Sequence, residues 1–219
     1  MVTIPFHGPT LLPAALVALA AAASDPTRQA LPPPAPHTAA AAGRVLFQDG
    51  FSDSSLAGWT IDREGVWSVR AGMLRADLPD RKQEHSLIVA GDESWTDYTV
   101  DVDVCAMRGV DKGVVVRMVG KRRAVGVDLR GPGYEDVLLH LHTLPLGHAQ
   151  ALNANGSWHH LRVEARGHRF RVWVDGAMVI DRGEARRAGS NGRIALAAYT
   201  GGVGECTVYY DNVVVTESR

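Results

Sequence analysis

Polar side chains recur at every second position in three consecutive stretches in the middle of the chain. Alternation with apolar neighbours is typical of β-strands, whose side chains point in turn to opposite faces of a sheet. On this pattern one sheet face collects a polar set with an aromatic ring at its rim: Arg117, Asp128, Arg130, Tyr134, His140 and His142. Such groups suit hydroxyl-rich ligands, and the pattern favours a polysaccharide or oligosaccharide as partner. An ordinary solvated sheet face would show the same alternation.

The histidines of this face allow a second interpretation. His140 and His142 have the spacing that lets two imidazoles on one strand face bind a transition metal, with His148 as a third ligand. No Glu or Cys lies at a matching offset, so the sugar-binding hypothesis is preferred. Two cysteines, Cys105 and Cys206, fall late in one predicted strand and early in another. They are either a disulfide of an exported domain or two buried thiols.

The elements that position these residues are all predicted strands. Short apolar and polar alternations recur about every ten residues, and no segment of helix length carries a sustained 3.6-residue apolar period. The clearest part is 156–182, where Asp175 and Gly176 form a hairpin turn between two alternating runs. The fold class is therefore all-β, a two-sheet antiparallel β-sandwich, because such strands must bury one face against a second sheet.

Charge and composition exclude some functions. The formal net charge of −1 over 219 residues gives no field that would gather nucleic acid or an anionic membrane. The hydrophobic content of 46% is that of a folded globule, and the length fits one large β domain with an N-terminal extension. We expect a monomer without a transmembrane segment in the mature protein.

The first 43 residues differ in composition from the rest. Residues 1–23 contain an Ala- and Leu-rich run, too short to span a bilayer, that ends in small residues and predicts a signal peptide. A misassigned start or a disordered tail are the alternatives. Residues 24–43 predict a Pro- and Ala-rich extended linker with nothing to pack. The β-sandwich domain is then 44–219, secreted or periplasmic.

Short sequence motifs occur along the domain in the same order as in a known family of domains. The motifs are Phe47-x-Asp49-x-Phe51, Trp67-x-Val69, Asn155-Gly156-x-Trp158, Gly192-Arg193-Ile194-x-Leu196 and Tyr210-Asp211-Asn212-x-Val214. Over residues 45–216 the chain resembles the concanavalin A-like (LamG-like) jelly-roll domains of secreted bacterial proteins. That group includes glycan-binding modules and the 3-keto-disaccharide hydrolase type.

The resemblance implies two further sites. It places the first and last strands side by side, which gathers Asp49, Asp53, Asp211 and Asn212 as oxygen ligands for a structural Ca²⁺. The same residues would otherwise cap turns. For catalysis, the Glu-x-Asp pair of the jelly-roll glycosidases is absent, whereas Gly133-Tyr134-Glu135 is similar to a segment of the 3-keto-disaccharide hydrolase type. If the chain is an enzyme, Glu135 acts with His140 or Arg117.

The sequence thus predicts a lectin-like domain that binds carbohydrate without cleaving it. A glycoside or 3-keto-disaccharide hydrolase of the same fold is the first alternative. A structural or adhesive domain without a small ligand is the second.

Overall fold

The computed structural model describes residues 31–34, 43–120, 123–142, 144–183 and 188–218, and the elements in these ranges are strands. In chain order they are β1 (Val45–Asp49), β2 (Trp59–Ile61), β3 (Trp67–Arg70), β4 (Met73–Leu78), β5 (His85–Ala90), β6 (Tyr98–Arg108), β7 (Asp111–Val119), β8 (Arg123–Arg130), β9 (Asp136–Leu141), β10 (Leu144–Gln150), β11 (His159–Arg166), β12 (Arg169–Val174), β13 (Ala177–Arg182), β14 (Arg193–Tyr199) and β15 (Cys206–Glu217).

The strands form two antiparallel sheets. The first sheet has the order β13-β12-β11-β6-β15-β4-β3, with β1 also paired to β15, and the second has the order β10-β9-β8-β7-β14-β5-β2. The predicted two-sheet antiparallel β-sandwich is therefore confirmed. The first and last strands do lie side by side, with Asp49 opposite Val213.

The core lies between the sheets and is built from every second residue of the facing strands. On β6 the inward residues are Val100, Val102 and Val104, all fully buried, and Val114 of β7 and Val127 of β8 meet them from the second sheet. Burial of a side chain of this size contributes roughly 1.5–3 kcal/mol. Because these inward positions are fixed, the alternate positions of β5, β7, β8, β9 and β14 must face outward.

One strand was not predicted. Residues 144–150 contain Pro145, Gly147 and His148 and look like a loop, yet they form β10. Proline cannot donate a hydrogen bond to a sheet, so it is tolerated only at an edge or a bulge. β10 satisfies both conditions, because it is the outermost strand and its register with β9 shifts between Pro145 and Gly147.

The alternative of a disulfide is wrong, since Cys105 and Cys206 are both buried free thiols. β6 and β15 do pair, but Cys105 lies opposite Tyr209, three residues beyond Cys206 along β15. Three residues of strand span about 10 Å, whereas disulfide partners have Cα atoms within roughly 7 Å. The register of the central strands therefore keeps the two thiols apart.

Part of the proline-rich segment contacts the domain. Trp158 Nε1 donates a hydrogen bond to the carbonyl oxygen of Pro32 at 2.8 Å, and Pro34 is buried. The prediction that the linker has nothing to pack against is wrong for these residues. The predicted signal peptide, 1–23, lies outside the described residues. Within the described ranges, no helix has the length and apolarity needed to cross a membrane.

The outward face of the first sheet carries a buried charge cluster. His160 contacts two carboxylates of the neighbouring β6, Asp103 at 2.8 Å through Nδ1 and Asp101 at 3.1 Å through Nε2. Burial disfavours the charged ring, but the bonds to Asp101 and Asp103 outweigh this and raise the pKa of His160 to about 9. The imidazolium is therefore the resident form at neutral pH.

We expect this cluster to make stability depend on pH in the alkaline range. A raised folded-state pKa contributes stability that is complete below the unfolded value near 6.5 and is lost as pH rises through about 9. His160→Gln should cost about 2 kcal/mol at pH 6 and little at pH 10, measured by urea unfolding. His168→Gln, in the exposed turn after β11, is the matched control. An equal cost of His160→Gln at both pH values would contradict the assignment.

Candidate functional site

The register of the second sheet arranges outward side chains in rows that cross its strands. The first row joins directly paired residues of β9, β8, β7, β14 and β5: Asp136, Arg130, Asp111, Tyr199 and His85. The second row is Leu138, Asp128, Gly113, Ala197 and Leu87, and the third is His140, Gly126, Val115, Ala195 and Val89. Directly paired residues of antiparallel strands project on the same face, so the three rows form one surface.

The middle of this surface contains four small residues on β7, β8 and β14. Gly113 and Ala197 are direct neighbours, whereas Val115 lies between Gly126 and Ala195. A Cβ at Gly126 would overlap the ring of His140, which lies over it. These four small residues are called the floor; Gly113, Gly126 and Ala195 are buried, and Ala197 is partly exposed.

A cavity of about 420 Å³, the main cavity, lies over the polar end of the rows. Its walls come from the strands and from the loops before β5, after β8 and after β14, and comprise Gln83, Asp111, Asp128, Arg130, Tyr134, Leu138, His140, His142, Pro145, Tyr199, Gly201 and Gly202. Five of the six predicted ligand-binding residues are brought together here. Only Arg117 of that set is missing.

An ion pair fixes one wall of the main cavity. His140 Nε2 lies 3.0 Å from Asp128 Oδ2, and His140 Nδ1 lies 2.5 Å from the carbonyl oxygen of His142. Burial opposes the charging of His140, but Asp128 and the His142 carbonyl favour it more, so the pKa of His140 is raised. The contact of Nδ1 with the His142 carbonyl therefore orients the ring, and the ion pair keeps Nε2 beside Asp128.

A second set of contacts fixes the aromatic rim. Arg130 donates two hydrogen bonds to Asp136, of 2.7 and 2.5 Å, and its guanidinium lies 4.4 Å from the ring centroid of Tyr134. His148 Nε2 lies 2.6 Å from the same buried carboxylate. Burial opposes ionisation of Asp136, but its bonds to Arg130 and His148 prevail and lower its pKa. Asp136 thus holds Arg130, and Arg130 holds the exposed Tyr134.

Asp111 was not among the predicted site residues. It lies at the start of β7, opposite Arg130 and diagonal to Asp128. Burial, reinforced by the charge of Asp128, raises the pKa of Asp111 to about 6 although Arg130 and Lys112 oppose the shift. The alternation along β7 predicts this placement, because Asp111 lies two residues before Gly113 and shares its face. Gln83 and Tyr199, which hydrogen bond to each other, were also missed.

The prediction that Arg117 lies on the outward polar face is wrong. Its side chain is completely buried between the sheets, where Nη2 donates to the carbonyl oxygen of Ala165 at 3.0 Å and to Asp97 at 3.3 Å. The cause is a bulge in β7: the register with β8 shifts between Val116 and Val119, and Arg117 has φ of 56°. A bulge inserts one residue and reverses the alternation. Period-2 counting could not place Arg117 correctly.

The alternative catalytic and metal-binding residues are placed differently from the predictions. Glu135 is exposed and does not line the main cavity. His148, considered as a third metal ligand, is bound to Asp136. Among the described residues, no group of three or more His, Cys, Asp or Glu side chains could hold a metal ion.

The predicted calcium ligands have other hydrogen-bonding partners. The two oxygens of Asp49 accept hydrogen bonds from Phe51 N and Trp59 Nε1, both at 2.7 Å. Asp53 accepts from Ser55 N, and Asp211 from Asn212 N. Asn212 donates to Asp103 through its side chain. These are the turn and strand contacts of the alternative interpretation, and calcium stays a prediction.

Residues 44–216 match the family model of the 3-keto-alpha-glucoside-1,2-lyase-like domain. The chain belongs to this family. No curated protein matches this 3-keto-alpha-glucoside-1,2-lyase-like domain.

Solved structures show the same fold. The carbohydrate binding module CBM66 from Bacillus subtilis is 19% identical with a TM-score of 0.61, over 73% of this chain and 96% of that one. A putative glycosyl hydrolase from Parabacteroides distasonis is 19% identical with a TM-score of 0.57, over 78% and 100%. The exoplasmic/lumenal domain of VIP36, in a form bound to Ca²⁺ and Man3GlcNAc, is 13% identical with a TM-score of 0.58, over 78% and 88%. Together with the family match, they establish a concanavalin A-like jelly roll for this 3-keto-alpha-glucoside-1,2-lyase-like domain.

Proposed function

We propose that the main cavity binds a carbohydrate without cleaving it. The observation that carries this proposal is a cavity of about 420 Å³ whose walls combine charged groups held by ion pairs with two tyrosine rings. A pyranose ring can lie in this cavity, while its hydroxyls reach Asp128, His140 and Arg130. Because ion pairs hold these side chains, binding costs little side-chain entropy.

The two tyrosines support the same proposal. Tyr134 lines the main cavity from the loop after β8, and Tyr199 lines it from the end of β14. Each side chain combines an apolar ring with a hydroxyl group. Such rings contact the apolar face of a sugar and supply a donor to its hydroxyls. The family match and the structural likeness to a carbohydrate binding module point to the same ligand class.

The experiment is a screen of the full chain against a broad glycan panel, with mass spectrometry of each glycan after incubation. Saturable binding with the glycan recovered intact is the expected result. Cleavage of the glycan would favour the second candidate, and absence of binding throughout would contradict a sugar site in the main cavity.

The second candidate is cleavage of a 3-keto-α-glucoside, favoured by the family and by Asp111 and His140, which both line the main cavity. A 1,2-elimination removes the C2 proton, which the C3 ketone makes acidic, and forms the C1=C2 double bond as the C1–O bond breaks. Near pH 7, Asp111 with a pKa of about 6 is an ionised base matched to that pH. His140, whose raised pKa favours the charged form, would protonate the departing oxygen.

Asp111→Asn tests this candidate and its electrostatics together. A carboxyl with a raised folded pKa binds its proton more tightly when folded, so stability falls as pH rises from about 4 through about 6. We expect Asp111→Asn to raise Tm by a few degrees at pH 7.5 and by little at pH 4. The exposed Asp80→Asn should change Tm at neither pH.

For activity, the readout is elimination from methyl 3-keto-α-glucoside followed by NMR. If the chain is a lyase, Asp111→Asn abolishes the elimination and Asp80→Asn preserves it. A Tm unchanged by Asp111→Asn at pH 7.5 would contradict the raised pKa. Elimination at the wild-type rate in Asp111→Asn would exclude Asp111 as the base.

A further inference from the structure

The half of the outward face away from the main cavity is apolar. Val89, Val115, Met118 and Ala195 form a cluster separate from the core, and Leu87, Ala124 and Ala197 pack against it. An antiparallel sheet normally presents polar residues on the face turned away from the core. These four side chains are buried, so the cluster is a second, smaller apolar core on the outer side of the sheet.

This cluster forms one wall of a second cavity of about 180 Å³, the apolar cavity, lined by Asp62, His85, Leu87, Val89 and Met118. The bulge that turns Arg117 inward also turns Met118 outward into this wall. Without the extra residue, regular alternation would place the Arg117 charge on the outward face and Met118 in the core. The backbone irregularity therefore gives this end of the face its apolar character.

The two cavities are adjacent. Tyr199 of the main cavity is the direct cross-strand neighbour of His85, and Ala197 of the floor is the direct neighbour of Leu87. Neighbouring strands lie about 4.8 Å apart, so a ligand that passes over Ala197 reaches Leu87 across one strand spacing. Ala197 and Leu87 are directly paired, so no other residue of the sheet lies between them.

The size of the apolar cavity limits its occupant. A cavity of about 150 Å³ lined by apolar side chains accepts benzene. A volume of about 180 Å³ thus admits one six-membered ring with a small substituent. Three of the five lining side chains are aliphatic or thioether groups, which favour an apolar ring over a hydroxylated one.

We propose that the apolar cavity binds the aglycone ring of a glycoside whose sugar occupies the main cavity. This inference rests on the proposed sugar site. The chain then recognises an aryl or similar apolar glycoside through both halves of the outward face, with the glycosidic bond above Ala197 and Tyr199.

The test compares methyl and phenyl glycosides of the same sugars, with glucose, galactose and mannose in both anomeric forms, by calorimetry on the full chain. We expect at least one sugar for which the phenyl glycoside binds about tenfold or more tighter than the methyl glycoside. Val89→Thr, which keeps the side-chain shape, should remove most of this preference and leave the methyl glycoside affinity unchanged. Met178→Gln, an exposed apolar position on the first sheet, is the matched control.

The outcomes separate the two proposals. Equal binding of methyl and phenyl glycosides overturns the aglycone site but leaves the sugar site standing. A disaccharide that binds tighter than every phenyl glycoside also overturns it, since a second sugar ring is then the occupant. A phenyl preference that persists in Val89→Thr places the ring elsewhere. Absence of binding by all these glycosides, together with the negative glycan screen, overturns the sugar site itself.

Discussion

Asp128→Asn should reduce glycan affinity about tenfold to a hundredfold while the protein stays folded. Asp128 supplies a charged acceptor in the main cavity and forms an ion pair with His140, whose Nε2 lies 3.0 Å from Asp128 Oδ2. A hydrogen bond to a charged group contributes about 1.5–3 kcal/mol, and the substitution weakens two such groups together. Calorimetry with the glycan identified by the screen measures the change. Thermal unfolding shows that the fold is retained.

A second readout separates this role from a structural one. Without the Asp128 charge, burial is the main remaining influence on His140, so the pKa of His140 should fall in Asp128→Asn, as followed by NMR titration of the ring. Asp181→Asn, which removes a carboxylate paired with Arg169 on the first sheet, should leave both the affinity and the His140 pKa unchanged. Wild-type affinity in Asp128→Asn would remove this residue from the site.

Arg117→Ala should have the opposite profile, with a loss of about 3 kcal/mol in stability and no change in glycan affinity. The side chain is fully buried, so truncation leaves a large void and deprives the Ala165 carbonyl of its donor. For a chain of this size the loss corresponds to a fall in Tm of roughly 6–12 °C. Urea unfolding of the wild type and the variant gives the difference directly.

Arg117→Met is the companion variant. It fills most of the volume and removes the charge, so it should destabilise less than Arg117→Ala. If the Ala variant instead unfolds like the wild type but no longer binds glycan, Arg117 acts at the ligand. Simple alternation, which places Arg117 on the outward face, would then be right, and the inward placement of Arg117 by the bulge would be wrong.

The sequence contained most of the fold because its strands alternate regularly. The inward valines of β6 and the hairpin at Asp175 and Gly176 required no tertiary information. Two features could not be read in this way. β10 has the composition of a loop and becomes a strand because it pairs with β9 at the sheet edge. The register of β6 with β15, which separates the two cysteines, depends on the packing of the whole first sheet.

Site residues could be predicted on strands whose side chains alternate regularly between the two faces, but not at the bulge, where this alternation is interrupted. Asp128, Arg130 and His140 lie on regular parts of β8 and β9, and the structure brings them together. Arg117 and Met118 lie at the bulge, and their faces are exchanged relative to simple counting. Tyr199 and Gln83 join the main cavity through long-range contacts between β14 and the loop before β5. No local pattern records such contacts.

The most direct test of the sugar site is to map a bound glycan by amide NMR on the labelled full chain. Ligand from the glycan screen should shift the amides of Asp111, Asp128, His140 and Tyr199, which line the main cavity. The same experiment on Asp128→Asn should show these shifts only at higher glycan concentration. If the glycan instead shifts residues around Asp103 and His160 on the first sheet, or shifts none at saturating concentration, the main cavity is not the sugar site.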